Sequence, residues 1–136
     1  METTDKEACT ILVDVLAAHG VKRVVLSPGS RNAPLLVAIA RRDDIEKFVV
    51  VDERSAAFSA LGIAQQTGEP VAIVCTSGTA LLNYAPAVAE AYYQQLPLIV
   101  VSADRPKEWI DQDDSQTIRQ FEALAQFVKK SYDLPA

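Results

Sequence analysis

Cysteine is scarce in this chain. Its 136 residues include two, Cys9 and Cys75, too few for the disulfide framework of a small secreted domain. Cys9 fits a helix and Cys75 a strand end, so both read as buried thiols. Histidine is scarcer still: the single copy, His19, stands beside Gly20 and reads as a capping group at a helix C-terminus rather than a catalyst. No apolar run is long enough to cross a bilayer, and the polar, acidic N-terminus does not resemble a secretory signal. A cytoplasmic location is the default expectation. Basic residues are outnumbered, and the formal net charge of −5 argues against a nucleic-acid partner or a membrane surface. Repeats, low-complexity segments and interior linkers are absent. So are a Walker lysine and a Gly-x-Gly-x-x-Gly run, which leaves a P-loop or dinucleotide fingerprint unsupported.

What is present is an apolar chain, 49% hydrophobic, long enough to bury one core without disulfides or metals. Thr4 to Glu7 has the Thr-x-x-Glu form of a capping box, and Ala8, Ile11, Leu12, Val15 and Leu16 follow at helical spacing until Gly20. Strands are expected at Arg23–Leu26, Phe48–Val51, Val71–Cys75 and Leu98–Ser102. Helices are expected at Asn32–Arg42, Ser55–Gln66 and Ala80–Tyr93, the last kinked or broken by Pro86. The spacing of Ile118, Phe121, Leu124, Ala125 and Val128 predicts an amphipathic segment over 116–128, with a short strand at Lys130–Leu134. Strands alternating with helices imply an α/β fold: an open, mainly parallel twisted sheet with right-handed crossovers and helices on both faces.

Each expected strand ends in small or polar residues: Ser27–Asn32, Asp52–Ser55, Thr76–Thr79 and Ala103–Pro106. Parallel strands share one carboxyl edge, where α/β sheets bind ligands, so these clusters should line one rim. Glu53 follows an apolar run that reads as a strand buried on both faces. Burial there would raise its pKa and let it exchange a proton near neutral pH. Arg31 and Arg105 suit an anionic ligand, since a guanidinium grips a carboxylate bidentately. Plainer readings stand beside these. Ser27-Pro28-Gly29-Ser30 also fits a turn capping the next helix. The Thr76–Thr79 hydroxyls and amides fit either a phosphate cradle or ordinary N-caps. The arginines also fit solvated surface charges, and Trp109 a lid or an interface anchor.

Glu53 with Ser55-Ala56-Ala57-Phe58-Ser59-Ala60-Leu61-Gly62-Ile63-Ala64, then Gly68-Glu69-Pro70, resembles the pyrimidine-binding domain of thiamine diphosphate enzymes. So do Thr76-Ser77-Gly78-Thr79 with Asn83, Pro86, Glu90 and Ala91, and Pro97 with Asp104-Arg105-Pro106. Two stretches, Ser27 to Pro34 and Asp104 to Asp111 continuing through Ser115 to Gln120, are similar to the menaquinone-pathway branch. Asp52, in place of a histidine, departs from many relatives outside that branch.

The resemblance implies a thiamine diphosphate-dependent transferase that decarboxylates 2-oxoglutarate and adds the succinyl carbanion to isochorismate. It implies that Glu53 hydrogen-bonds N1′ of the aminopyrimidine. Ser30, Arg31, Arg105 and Gln116 would face substrate, and Thr76, Ser77, Gly78 and Asn83 would shape the pyrimidine pocket. It further implies Mg2+ or Mn2+, held with the diphosphate by a separate domain carrying Gly-Asp-Gly, a motif absent here. In such enzymes the cofactor bridges two subunits, so a homo-oligomer, dimer or tetramer, is expected. Residues 1–136 would form a single domain, the N-terminal piece of a longer enzyme and inactive alone. Two alternatives stay open: a thiamine diphosphate enzyme with another acceptor, and a non-catalytic ligand-binding or dimerisation domain of the same fold.

Overall fold

A computed structural model describes residues 4–135. Four strands, β1 (Arg23–Leu26), β2 (Glu46–Val49), β3 (Val71–Cys75) and β4 (Leu98–Ser102), form an all-parallel sheet in the order β2-β1-β3-β4. Five helices connect or flank them: α1 (Glu7–Ala18), α2 (Ala33–Ala40), α3 (Glu53–Thr67), α4 (Thr79–Asn83) and α5 (Ala85–Gln94).

Side-chain alternation on the central strands makes two cores. Val25, Val71, Ile73 and Cys75 face α3, α4 and α5, where Ala56, Ala57, Ala60 and Ala64 let α3 lie close to the sheet. Val24, Leu26, Ala72 and Val74 face the other way, against Val13 and Leu16 of α1 and Leu35, Ala38 and Ile39 of α2. β3 is buried along its whole length, as a strand covered on both faces must be. The chain leaves β1 for β2 on one side and returns to β3 on the other. This reversal between β1 and β3 is the topological switch point at which open α/β sheets form a crevice.

Several expectations need correction. β2 is Glu46–Val49, not Phe48–Val51, and it is an edge strand: Val49 is 65% exposed and Val51 79%. Glu53 therefore does not follow a doubly buried strand. It is the first residue of α3, whose N-cap Asp52 accepts a hydrogen bond from Ser55 N at 2.8 Å. Hydrogen bonding from Ser55 also holds the Asp52 carboxyl below the usual carboxylate range. α3 runs two residues earlier and one later than the expected Ser55–Gln66, stopping at Gly68, whose φ of 68° is left-handed. α2 is shorter than Asn32–Arg42. The Thr4 capping box does not form: α1 starts at Glu7 with Lys6 as N-cap, and Thr4 Oγ1 accepts from Lys6 N at 3.2 Å.

The break at Pro86 is present, with Tyr84 joining α4 to α5. His19 sits at the end of α1 with Nδ1 2.9 Å from Val15 O. Cys75 is buried but Cys9 is only half-buried. The 116–128 segment is not a helix. Turns and one 3₁₀ turn (Ala125–Phe127) replace it, Glu122 has a left-handed φ of 61°, and no strand forms at 130–134. Among the described residues no helix is long and apolar enough to cross a membrane.

Candidate functional site

Because the sheet is wholly parallel, the segments after all four strands meet at its carboxyl edge. Polar side chains tie them together there. Asn32, fully buried, donates from Nδ2 to Ser27 O and accepts from Gly29 N, both at 2.9 Å, which closes the turn after β1. Ser27 Oγ donates to Val50 O at 2.9 Å and joins that turn to the β2–α3 connection. Gly29 packs on the segment after β3 so closely that a Cβ there would lie 2.5 Å from Thr76 Cβ.

A cavity of about 450 Å³ opens at the switch point between β1 and β3, lined by Gly29, Ser30, Arg31, Thr76, Ser77, Arg105, Ser115 and Gln116. In a chain of net charge −5, this lining carries two guanidinium groups and no carboxylate. Its polar atoms are under-satisfied. Ser77 Oγ, on a residue 1% exposed, Thr76 Oγ1 and Arg105 Nε are buried with no hydrogen-bond partner among the described residues. Buried groups of this kind ordinarily find partners, so the lining offers unpaired polar groups beside two guanidinium groups. The two arginines are held differently. Arg31 lies with Cζ 5.9 Å from the centroid of the Trp109 ring, within cation–π range. Arg105 NH1 reaches Asp114 Oδ2 only at 3.7 Å.

The expected site residues divide into groups. Ser30, Arg31, Arg105, Gln116, Thr76 and Ser77 come together in this cavity. Glu53 lies on the same carboxyl edge but is not among the lining residues; it is half-buried at the start of α3. Its carboxylate is within electrostatic reach of the Cys75 thiol and the Tyr84 hydroxyl. Burial, only partly offset by Tyr84, pushes the Cys75 thiol up to about 12, so it is not a nucleophile near neutral pH. Burial likewise raises Tyr84, whose hydroxyl has Ser27 and Cys75 as polar neighbours but no well-formed hydrogen bond. Asn83 is exposed on α4 and donates to Thr79 O at 3.0 Å, away from the cavity. Gly78 is covered: its N–H donates to Gln120 Oε1 at 2.6 Å. That amide is spent on the protein, which removes it from any phosphate cradle.

Sequence reasoning missed Ser115 as a lining residue, Trp109 as the neighbour of Arg31, and the Gln120 contact. The first two carry no local signal beyond a polar loop. A buried glutamine tied to a glycine 42 positions away has none.

Gly78 has φ 86°, and a Cβ there would lie 2.5 Å from Gln116 O. Gly78→Ala therefore combines left-handed strain with a backbone clash. It is expected to destabilise the fold by about 1–3 kcal/mol, read as a lower urea midpoint at unchanged slope.

Residues 6–123 match the family described as thiamine pyrophosphate enzyme, N-terminal TPP binding domain. The chain is 57% identical over 133 residues to the 2-succinyl-5-enolpyruvyl-6-hydroxy-3-cyclohexene-1-carboxylate synthase of Porphyromonas gingivalis, covering 98% of this chain and 23% of that protein. Proteins of the same name from Cytophaga hutchinsonii (58% over 123 residues; 90% of this chain, 22% of the relative) and Bacteroides fragilis (55% over 132; 97% and 24%) are similarly close. The chain thus spans about a quarter of the length of these curated relatives.

Proposed function

The chain belongs to the thiamine pyrophosphate enzyme family, in its N-terminal, cofactor-binding domain, and from this we propose that it is the pyrimidine-side domain of a synthase joining 2-oxoglutarate to isochorismate in menaquinone biosynthesis. The observation that carries the substrate class is the cavity with two arginines and no carboxylate at the β1/β3 switch point. The product named for the relatives bears succinyl, enolpyruvyl and carboxylate groups, so both substrates of such a reaction are anions. Each guanidinium offers a planar fork to a carboxylate. Ser30 supplies a further polar contact. Gln116 does so through its Oε1, its Nε2 being held by Ser77 O at 2.8 Å.

The residues present fit the pyrimidine half of the cofactor. Glu53 stands half-buried at the carboxyl edge, and Ser77 and Thr76 hold buried hydroxyls without partners. With the cofactor bound, Glu53 would hold a proton at N1′ of the aminopyrimidine, and Thr76 and Ser77, which line the adjoining cavity, would shape the pocket toward the ring. Gly78 contributes there through the turn it closes, and Asn83 only as a support on α4. Thiamine diphosphate, when bound, supplies the carbon nucleophile and the electron sink for decarboxylation. The diphosphate and its Mg2+ or Mn2+ fall to another part of the enzyme. α4 is five residues long and the Gly78 amide is occupied. Residues 1–136 act as one domain within a longer, cytoplasmic homo-oligomer, with Glu53 serving a cofactor held chiefly by a partner subunit.

The test is carbon dioxide release by the full-length protein with thiamine diphosphate and Mg2+. Release is expected from 2-oxoglutarate, with product formed only when isochorismate is present. Turnover of pyruvate in preference to 2-oxoglutarate would point to another acceptor chemistry and overturn the substrate assignment. No turnover of any 2-oxo acid would favour a non-catalytic domain.

A further inference from the structure

The third wall of the cavity belongs to no regular element. After β4 the chain runs through a single 3₁₀ turn (Lys107–Trp109) and then irregularly back across the carboxyl edge. Three non-glycine residues of this strap, Asp111, Asp113 and Ser115, have left-handed φ of 63°, 56° and 46°, conformations that cost energy unless surrounding contacts impose them. Ser115 and Gln116 of the strap line the cavity, so something must hold it in register.

Gln120 is that anchor. The residue is 5% exposed and its side-chain amide is satisfied at both ends. Oε1 accepts from Gly78 N at 2.6 Å, and Nε2 donates to Ala103 O at 2.9 Å and Ser102 Oγ at 3.3 Å. One amide thus spans the carboxyl ends of β3 and β4. Gln116, four residues earlier, donates to Ser77 O, so the two glutamines grip consecutive residues of the same turn. Within that turn Ser77 Oγ and Thr76 Oγ1 remain unpartnered, and Arg105 follows Ala103 by two residues.

We infer that Gln120 is a positioning residue for the anion cavity: by clasping Gly78 to Ala103 it fixes the Thr76–Ser77 hydroxyls, Arg105 and Gln116 at their mutual spacing. The cavity as a substrate site rests on the function proposed above; the clasp itself does not. Losing Gln120 would strand the buried Gly78 N–H and leave the half-buried Ala103 carbonyl without this donor, and small displacements of positioning groups are costly to catalysis.

The test uses the full-length protein and two variants. Gln120→Ala removes all three bonds and is expected to raise KM for 2-oxoglutarate about tenfold or more, with kcat changed less. Gln120→Glu keeps the acceptor for Gly78 N, but its ionised form has no proton for Ala103 O. Protonated, one oxygen accepts and the other donates, as the amide does. Its KM relative to wild type is therefore expected to be high at alkaline pH and to fall toward unity as pH is lowered, a recovery that loss of packing alone would not give. Amide exchange is read in parallel over 76–80 and 113–120. Gln120→Ala is expected to exchange faster there, with the β1 and β3 amides unchanged.

An unchanged KM in Gln120→Ala, or a pH-independent deficit in Gln120→Glu, would overturn the positioning role. If the wild type does not turn over 2-oxoglutarate, the function proposed above fails by itself. The exchange arm then decides the clasp, and unaltered exchange in Gln120→Ala would refute it.

Discussion

Glu53→Gln in the full-length enzyme is expected to lower kcat by about 10²- to 10⁴-fold, the range of a positioned proton-transfer group, while the fold persists. Glutamine has nearly the same shape and can still hydrogen-bond a ring nitrogen as a donor. It cannot hold a titratable proton at N1′. The structure explains why stability should change little. Glu53 is the first residue of α3, but the helix is capped by Asp52, whose bond from Ser55 N is independent of residue 53. Removing one negative charge from a helix N-terminus costs only about 0.3–1 kcal/mol. The expected signature is a large loss of kcat with an unchanged circular dichroism spectrum and a thermal midpoint within a few degrees. Equal loss of activity and fold would assign Glu53 to structure instead.

The second large effect concerns the arginines. Arg31→Ala with Arg105→Ala is expected to raise KM for 2-oxoglutarate about 100-fold or more, since a hydrogen bond to a charged group contributes about 1.5–3 kcal/mol. The single variants should differ. No ion pair of Arg31 is found among the described residues, and its ring contact is with Trp109, so its loss should act on ligand binding with little change in stability. Arg105 is largely buried, with Nε unpaired and NH1 3.7 Å from Asp114. Its loss should weaken binding and also lower the unfolding midpoint. Arg105→Lys should recover charge but not the planar fork, and so restore only part of the affinity. Wild-type KM in the double variant would remove the anion-clamp assignment.

The rim was legible in the sequence because it follows from local punctuation. Val71–Cys75 and Leu98–Ser102 are apolar runs closed by small polar residues, and a parallel sheet gathers such ends on one side. Strand order is not local, and there the reading failed. Phe48 to Val51 looks doubly buried, yet β2 is an edge strand with Val49 facing solvent. Nothing within those residues records which neighbour they pair with. The 116–128 segment misled for another reason. Its apolar residues have helical spacing, but Gln120 spends its side chain on Gly78 and Ala103, and Glu122 adopts a left-handed φ. Long-range hydrogen bonds outweighed a period that would have built one amphipathic helix. In place of the Thr4 capping box, Thr4 Oγ1 accepts from Lys6 N, a choice that the Thr-x-x-Glu pattern does not encode. Glu53, Arg31 and Arg105 stood out in the sequence as charged residues at strand ends. Their division between the start of α3 and the β1/β3 cavity needed the fold.

The central claim is that Glu53 controls a proton on the bound cofactor, and its most direct measure is deuterium exchange at C2 of the thiazolium in the full-length protein. Exchange by the wild type is expected to be faster than turnover, and Glu53→Gln should slow it about as much as it slows kcat. Equal exchange rates in the two proteins would contradict the account.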